Sequence, residues 1–147
     1  MKLGLDLHGV IDACPELFSH LSHLLRHGEY FPHKGIYVKN EVHIITGSSI
    51  TSQIKDQLKE YQIWYTHLFS ITDYHTQIFE RLPDNHPEKE LHRVTWDAQG
   101  RPWMDSNIWD KTKADYCAEN KIDLHLDDTE KYGHFFTTPF SKFNSKK

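Results

Sequence analysis

Residues 3–12, LGLDLHGVID, constrain the fold of this chain more than any other stretch. An apolar run ends in an acid, Asp6, and the backbone then meets a glycine turn at Gly9. A run of this kind reads as a buried strand, and the carboxyl ends of strands are where open α/β sheets receive ligands. Residues 122–126, IDLHL, form a second short apolar run, which ends in Asp127 and Asp128. Two strands that deliver carboxylates to the same end of one sheet make a site for a hard cation.

The rest of the chain alternates. A strand over residues 2–7 leads to a helix over 15–27, where Leu17, Phe18, Leu21, Leu24 and Leu25 recur at helical spacing, with Pro15 at its first turn and Gly28 as its stop. Residues 28–40 read as a loop. VHIIT, 42–46, is a buried strand, and Ser48 or Ser49 caps a helix running to about Tyr61. A strand falls within 64–71, a short helix within 73–82, and PDNHP at 83–87 breaks the pattern. Residues 93–104 read as a hairpin turning at 97–100, followed by a helix over 109–120 and the IDLHL strand. Strands alternating with helices predict a parallel sheet with crossover connections. The polar tail, 141–147, is expected to fray.

A length of 147 residues predicts one domain over 1–147, since domains most often hold about 100–150 residues. The formal charge of −4 and an isoelectric point near 6.3 give no global reason to expect nucleic acid as a partner. No apolar run approaches the roughly 18 residues that span a bilayer. The Met-Lys start leads into a strand and not a signal peptide, so the expectation is a soluble, cytoplasmic protein without a membrane partner. Cys14 and Cys117 lack CxxC spacing and read as two buried free thiols. His20, His23 and His27 share a helix face, but the interleaved leucines mark that helix as an ordinary packing element. His43 and His125 lie inside strand patterns and read as core histidines.

DLHGV at Asp6, IITGSS with Thr46, Lys113 near a helix start and LDD at Asp127 and Asp128 resemble the four ordered motifs of the haloacid dehalogenase-like (HAD) phosphohydrolases. The resemblance covers nearly the whole chain. It implies a three-layer, Rossmann-like α/β fold with a mainly parallel sheet. It also implies a magnesium-dependent phosphomonoester phosphatase working through an aspartyl phosphate. In that reading Asp6 is the nucleophile, Thr46 bonds the phosphoryl group, and Lys113 neutralises charge. Asp6, the His8 backbone carbonyl, Asp127 and Asp128 hold Mg2+. Lys113 is preferred to Lys111 because it stands fourteen positions before Asp127, closer to the family's spacing.

The chemistry asks for these residue types on its own account. A carboxylate can attack phosphorus and split one displacement into two steps, and a lysine and a hydroxyl stabilise the transferring oxygens. Gly47 and Ser48 would face the phosphate, with Gly9 and Gly47 allowing close backbone approach. One position departs from the family pattern: the second acid of the first motif is His8. A histidine with an ordinary pKa of about 6.5 can serve as acid and base at neutral pH. The competing reading is a catalytically weak or inactive phosphate-binding or regulatory module, and a dehalogenase is disfavoured by the acid pair. Residues 73–108 have the length for a small lid, in which Trp96, Arg101 and Trp103 would stack on and pair with a nucleotide or similar small phosphorylated metabolite. The alternative is that these side chains pack a hairpin.

Overall fold

A computed structural model describes residues 1–144. The chain forms β1 (Lys2–Leu5), α1 (Pro15–Arg26), a hairpin of β2 (Glu29–Phe31) and β3 (Ile36–Val38), β4 (Glu41–Thr46) and α2 (Ser52–Glu60). It continues through β5 (His67–Ser70), α3 (Ile71–Arg81), a second hairpin of β6 (Thr95–Trp96) and β7 (Pro102–Trp103), α4 (Ser106–Glu119), β8 (Leu124–Asp127) and β9 (Phe140–Lys142). Five strands make one sheet in the order β5-β4-β1-β8-β9, and every pairing in it is parallel. The class is α/β, as the alternation of runs predicts. Among the described residues no helix is long and apolar enough to cross a membrane.

Side chains alternate across each strand, and the two faces differ in chemistry. Leu3 and Leu5 of β1, Val42 and Ile44 of β4, and Leu124 and Leu126 of β8 face Phe18 of α1 and Ile54 and Leu58 of α2. The other face carries Gly4, His43, Ile45 and His125, and meets α4 through Tyr116 and Cys117. This second face is partly polar. Gly4 is required there, because a Cβ would stand 2.8 Å from Nδ1 of the buried His125. His43 and His125 are core residues, as their strand positions predict.

Several boundaries differ from expectation, each for a local reason. β1 ends at Leu5 and not residue 7, because the Asp6 carboxylate accepts from Leu7 N at 3.0 Å and turns the backbone into a wide π-type turn over Leu7–Ile11. Ser48 and Ser49 cap no helix; Thr51 does, its hydroxyl accepting from Ile54 N at 3.3 Å. Asp105 caps α4 through Ile108 N at 3.1 Å, so that helix starts three residues earlier than expected and Lys113 sits in its middle. The 64–71 strand shortens to His67–Ser70, and Ser70 caps α3 by accepting from Asp73 N. The predicted 28–40 loop contains the β2–β3 hairpin, whose side chains are exposed and therefore show no buried alternation. Ser141 and Lys142 of the predicted frayed tail pair with β8 as part of the edge strand β9, while 145–147 lie outside the described residues. Cys117 is buried, but Cys14 is only half-buried.

Candidate functional site

The strand order places one crevice. From β1 the chain moves outward to β4 and β5, then crosses back to β8 on the other side of β1. The gap beyond the carboxyl ends of β1 and β8 is thus the switch point where doubly wound sheets bind ligands. Asp6 follows β1 and Asp127 ends β8, so both carboxylates reach that gap.

Lys113 enters it from α4. Its ammonium is 3.1 Å from Asp6 Oδ1 and 2.7 Å from Asp127 Oδ2, and all three side chains are nearly or fully sealed from solvent. It also lies 4.9 Å from the centre of the Tyr132 ring. The two acids share this cation unequally. Burial pushes the Asp6 carboxyl up to about 7, assisted by the nearby Asp127 charge and only partly opposed by Lys113. Burial acts the same way on Asp127, but the hydrogen bond from His125, 3.0 Å away, and the bond and charge of Lys113 outweigh it and hold Asp127 well below the carboxylate range. Lys113 is likewise desolvated, yet Asp6 and Asp127 hold it firmly charged. Asp6 Oδ1 accepts from both Leu7 N and Lys113 Nζ, which leaves Oδ2 as the oxygen not engaged by these donors.

Asp128 completes an acidic group. Oxygens of Asp6, Asp127 and Asp128 all lie within 4.8 Å of one another, and opposed ligands of a magnesium ion stand about 4 Å apart. Three carboxylates against one ammonium leave net negative charge in oxygen donors only, which fits a hard divalent cation. Gly9 makes the approach of Asp128 feasible: its φ is +84°, and a Cβ there would stand 2.0 Å from Asp128 Oδ2.

His8 lies on the rim, its side chain 54% exposed. Its Nδ1 is 3.2 Å from Asp12 Oδ2 and its Nε2 is 3.1 Å from Ser48 Oγ. Asp12 is pinned in turn by Gly9 N, which donates to Oδ1 at 2.7 Å. A carboxylate on Nδ1 fixes the proton there and leaves Nε2 to face the site. Sequence reading missed Asp12, because i,i+4 spacing suggests a helix and this segment is not one.

A cavity of about 430 Å³ opens over these groups, lined by Asp6, His8, Lys113 and Asp128 on its floor and by Arg101 and Trp103 above. Gly47 and Ser48 also line it. Trp109 packs so closely on Gly47 that a Cβ would stand 2.7 Å from its ring, and its indole N–H donates to the Tyr132 hydroxyl at 3.1 Å. Two expected residues stand elsewhere. Thr46 is fully buried and outside the lining, its hydroxyl accepting from Ser48 N at 3.2 Å. Trp96 lines an adjoining groove that shares His8 and Ser48 with the cavity. Arg101 is drawn back toward the hairpin by Asp97, 3.0 Å from its Nε, and the same Oδ2 accepts from the Trp103 indole at 3.0 Å. Besides Asp12, the sequence does not single out His125, expected as a core histidine, as the partner of Asp127, although a period-2 pattern puts both on one face; Tyr132 and Lys131 are marked by no local pattern. No protein-family model, curated protein or solved structure matches the chain.

Proposed function

We propose that the chain is a magnesium-dependent phosphomonoester phosphatase of the HAD type, acting on a nucleotide or other small phosphorylated metabolite through an aspartyl phosphate. The observation that carries this reading is the convergence of Asp6, Lys113 and Asp127 at the switch point, with Asp128 beside them. Asp6, Asp127, Asp128 and the His8 carbonyl would hold magnesium, which when bound screens the charges of carboxylate and phosphate from each other.

In the first step Asp6 Oδ2 attacks phosphorus, and the bond from phosphorus to the leaving oxygen breaks. A protonated His8 gives its Nε2 proton to that oxygen, and Asp12 steadies the imidazolium. In the second step the neutral Nε2 takes a proton from water as the water attacks phosphorus, releasing phosphate and regenerating both residues. Lys113 keeps one Asp6 oxygen fixed throughout and faces the developing charge with its ammonium. The backbone of Gly47 and the Ser48 hydroxyl, both on the cavity lining, would meet phosphoryl oxygens, while Thr46 would shape the turn that presents them. The β6–β7 hairpin serves as a small lid whose Trp103 offers a stacking face.

The test is phosphate release from nucleotides, sugar phosphates and phosphopeptides, with and without magnesium. Release that requires magnesium and vanishes in a folded Asp6→Asn protein is expected. Undiminished release in chelator, or in Asp6→Asn, would overturn the assignment. Phosphate binding without release would mark a binding module.

A further inference from the structure

At the end of the sheet remote from Asp6, Glu41, His43 and His67 bring a carboxylate and two imidazoles together, their ligating atoms within 4.8 Å of one another. The parallel register produces this grouping. His43 on β4 stands beside His67 on β5, and Glu41, two residues earlier on β4, shares the face of His43. Five residues of strand separate Glu41 from Thr46, about 16 Å at the usual rise, so this cluster is separate from the acidic crevice.

His43 is sealed, 1% exposed, and both its ring nitrogens are fixed. Nδ1 lies 2.7 Å from the Tyr116 hydroxyl on α4, and Nε2 lies 2.9 Å from Glu41 Oε1. Metal-binding histidines are ordinarily oriented in this manner, by a partner on the nitrogen that does not coordinate. The His67 ring is about half exposed and stacks on His43 at 4.0 Å, with 3° between planes. Its Nδ1 is 3.7 Å from the same Glu41 oxygen and 2.8 Å from the Thr66 hydroxyl. Lys2 Nζ stands 3.6 Å from Glu41 Oε2 and is itself accessible.

The geometry points to a second cation site here, taking a borderline divalent ion such as zinc on Glu41, His43 Nε2 and His67, with water completing the shell. Two imidazoles and one carboxylate are a donor set for zinc and its neighbours. They suit magnesium poorly, since magnesium takes oxygens. Parallel rings cannot aim both lone pairs at one ion, so the Glu41–His43 pair is the preformed part. His67 closes the site by swinging its exposed ring out of the stack, and Lys2 gives way. The bound ion would clamp β4 to β5 at their amino-terminal ends and raise the melting temperature.

Zinc is titrated calorimetrically into untagged full-length protein in excess magnesium, with cobalt absorption reporting geometry. Wild type should bind one equivalent and give the intense visible bands of a tetrahedral cobalt site. His67→Ala should weaken zinc roughly tenfold or more and abolish those bands; His67→Gln serves as the second variant. Tyr116→Phe, which removes only the oxygen on His43 Nδ1, should weaken zinc about ten- to a hundredfold. Asp128→Asn should leave zinc affinity unchanged. Affinity indifferent to both His67 variants, or lost in Asp128→Asn, would place the ion on other histidines or on the acids near Asp6 and overturn the proposal. Absence of binding would reduce the cluster to an ion pair with a stacked neighbour.

Discussion

Replacing Lys113 with methionine tests the buried centre directly. The change preserves the length of the side chain and removes the charge that Asp6 and Asp127 share at 3.1 and 2.7 Å. At an effective dielectric of about 20, those contacts represent roughly 5 and 6 kcal/mol of gross attraction, most of it offset by the cost of burying the charges. Removing one partner of a buried pair typically costs about 3–5 kcal/mol. Burial already pushes the Asp6 carboxyl up to about 7, and loss of its cation raises it further, so near neutrality it takes up a proton and sheds part of that penalty. Asp127 retains His125 as a donor. The expected loss is therefore near the lower bound, about 3 kcal/mol, or roughly 6–12 °C in Tm for a domain of this size. Urea unfolding followed by tryptophan fluorescence in EDTA reads the loss. Adding Asp6→Asn and Asp127→Asn to Lys113→Met should recover much of it, because no uncompensated charge then remains buried. Magnesium should stabilise Lys113→Met more than wild type. A Lys113→Met protein within about 0.5 kcal/mol of wild type, or one that the two asparagines fail to rescue, would refute the view that this lysine neutralises both acids.

Four further outcomes are expected. His8→Ala should slow turnover about 10²- to 10⁴-fold with magnesium binding retained, and Asp12→Asn should do so to a smaller degree by releasing Nδ1; wild-type rates in both would make the imidazole a bystander. Trp103→Ala should raise KM for nucleotides far more than for a small aryl phosphate, since stacking is worth about 1–3 kcal/mol per base; equal effects would mean that the indole only packs the hairpin. Gly47→Ala should displace the Trp109 ring, visible as a shift in fluorescence, because the added methyl meets it at 2.7 Å. Measured against His75→Gln, wild type should lose stability as pH drops from about 6.5 toward 4, because burial, with the charge of nearby His92, pushes His75 down to about 4; the raised Asp6 carboxyl acts in the opposite direction in both proteins and cancels in the difference. Over that window the unfolded chain binds the imidazole proton and the folded one does not, a loss of about 3 kcal/mol that His75→Gln should remove.

The architecture was legible where apolar residues carry it. Val42 and Ile44 of VHIIT pack with Phe18, Leu21 and Leu25 of α1 in the core, and their burial is what the pattern encodes, whereas Leu17 and Leu24 of the same helical run stay exposed. The β2–β3 hairpin was not legible, since all six of its strand residues are exposed and exposure imposes no pattern. The early start of α4 was hidden for a different reason. Its buried residues are Thr112, Lys113, Ala114 and Cys117, so the inward face is half polar and leaves no apolar stripe to read. That polarity is required by what it meets: His43 bonds Tyr116, and Asp127 bonds Lys113.

The same reasoning explains how far the site could be read. Asp6 and Asp127 announce themselves because each ends an apolar run, and their shared lysine is expected only from a resemblance in spacing. The His8–Asp12 contact follows from neither. It depends on the turn after Asp6, where His8 keeps an extended ψ of 125° and Gly9 reverses the chain at φ +84°. Only then does Asp12 come under both the imidazole and Gly9 N. Gly9 thus serves two constraints together, the positive φ of the turn and the space taken by Asp128. A side chain at residue 9 would disturb the orientation of His8 and the acidic group in one step, although residue 9 itself contributes no reactive atom.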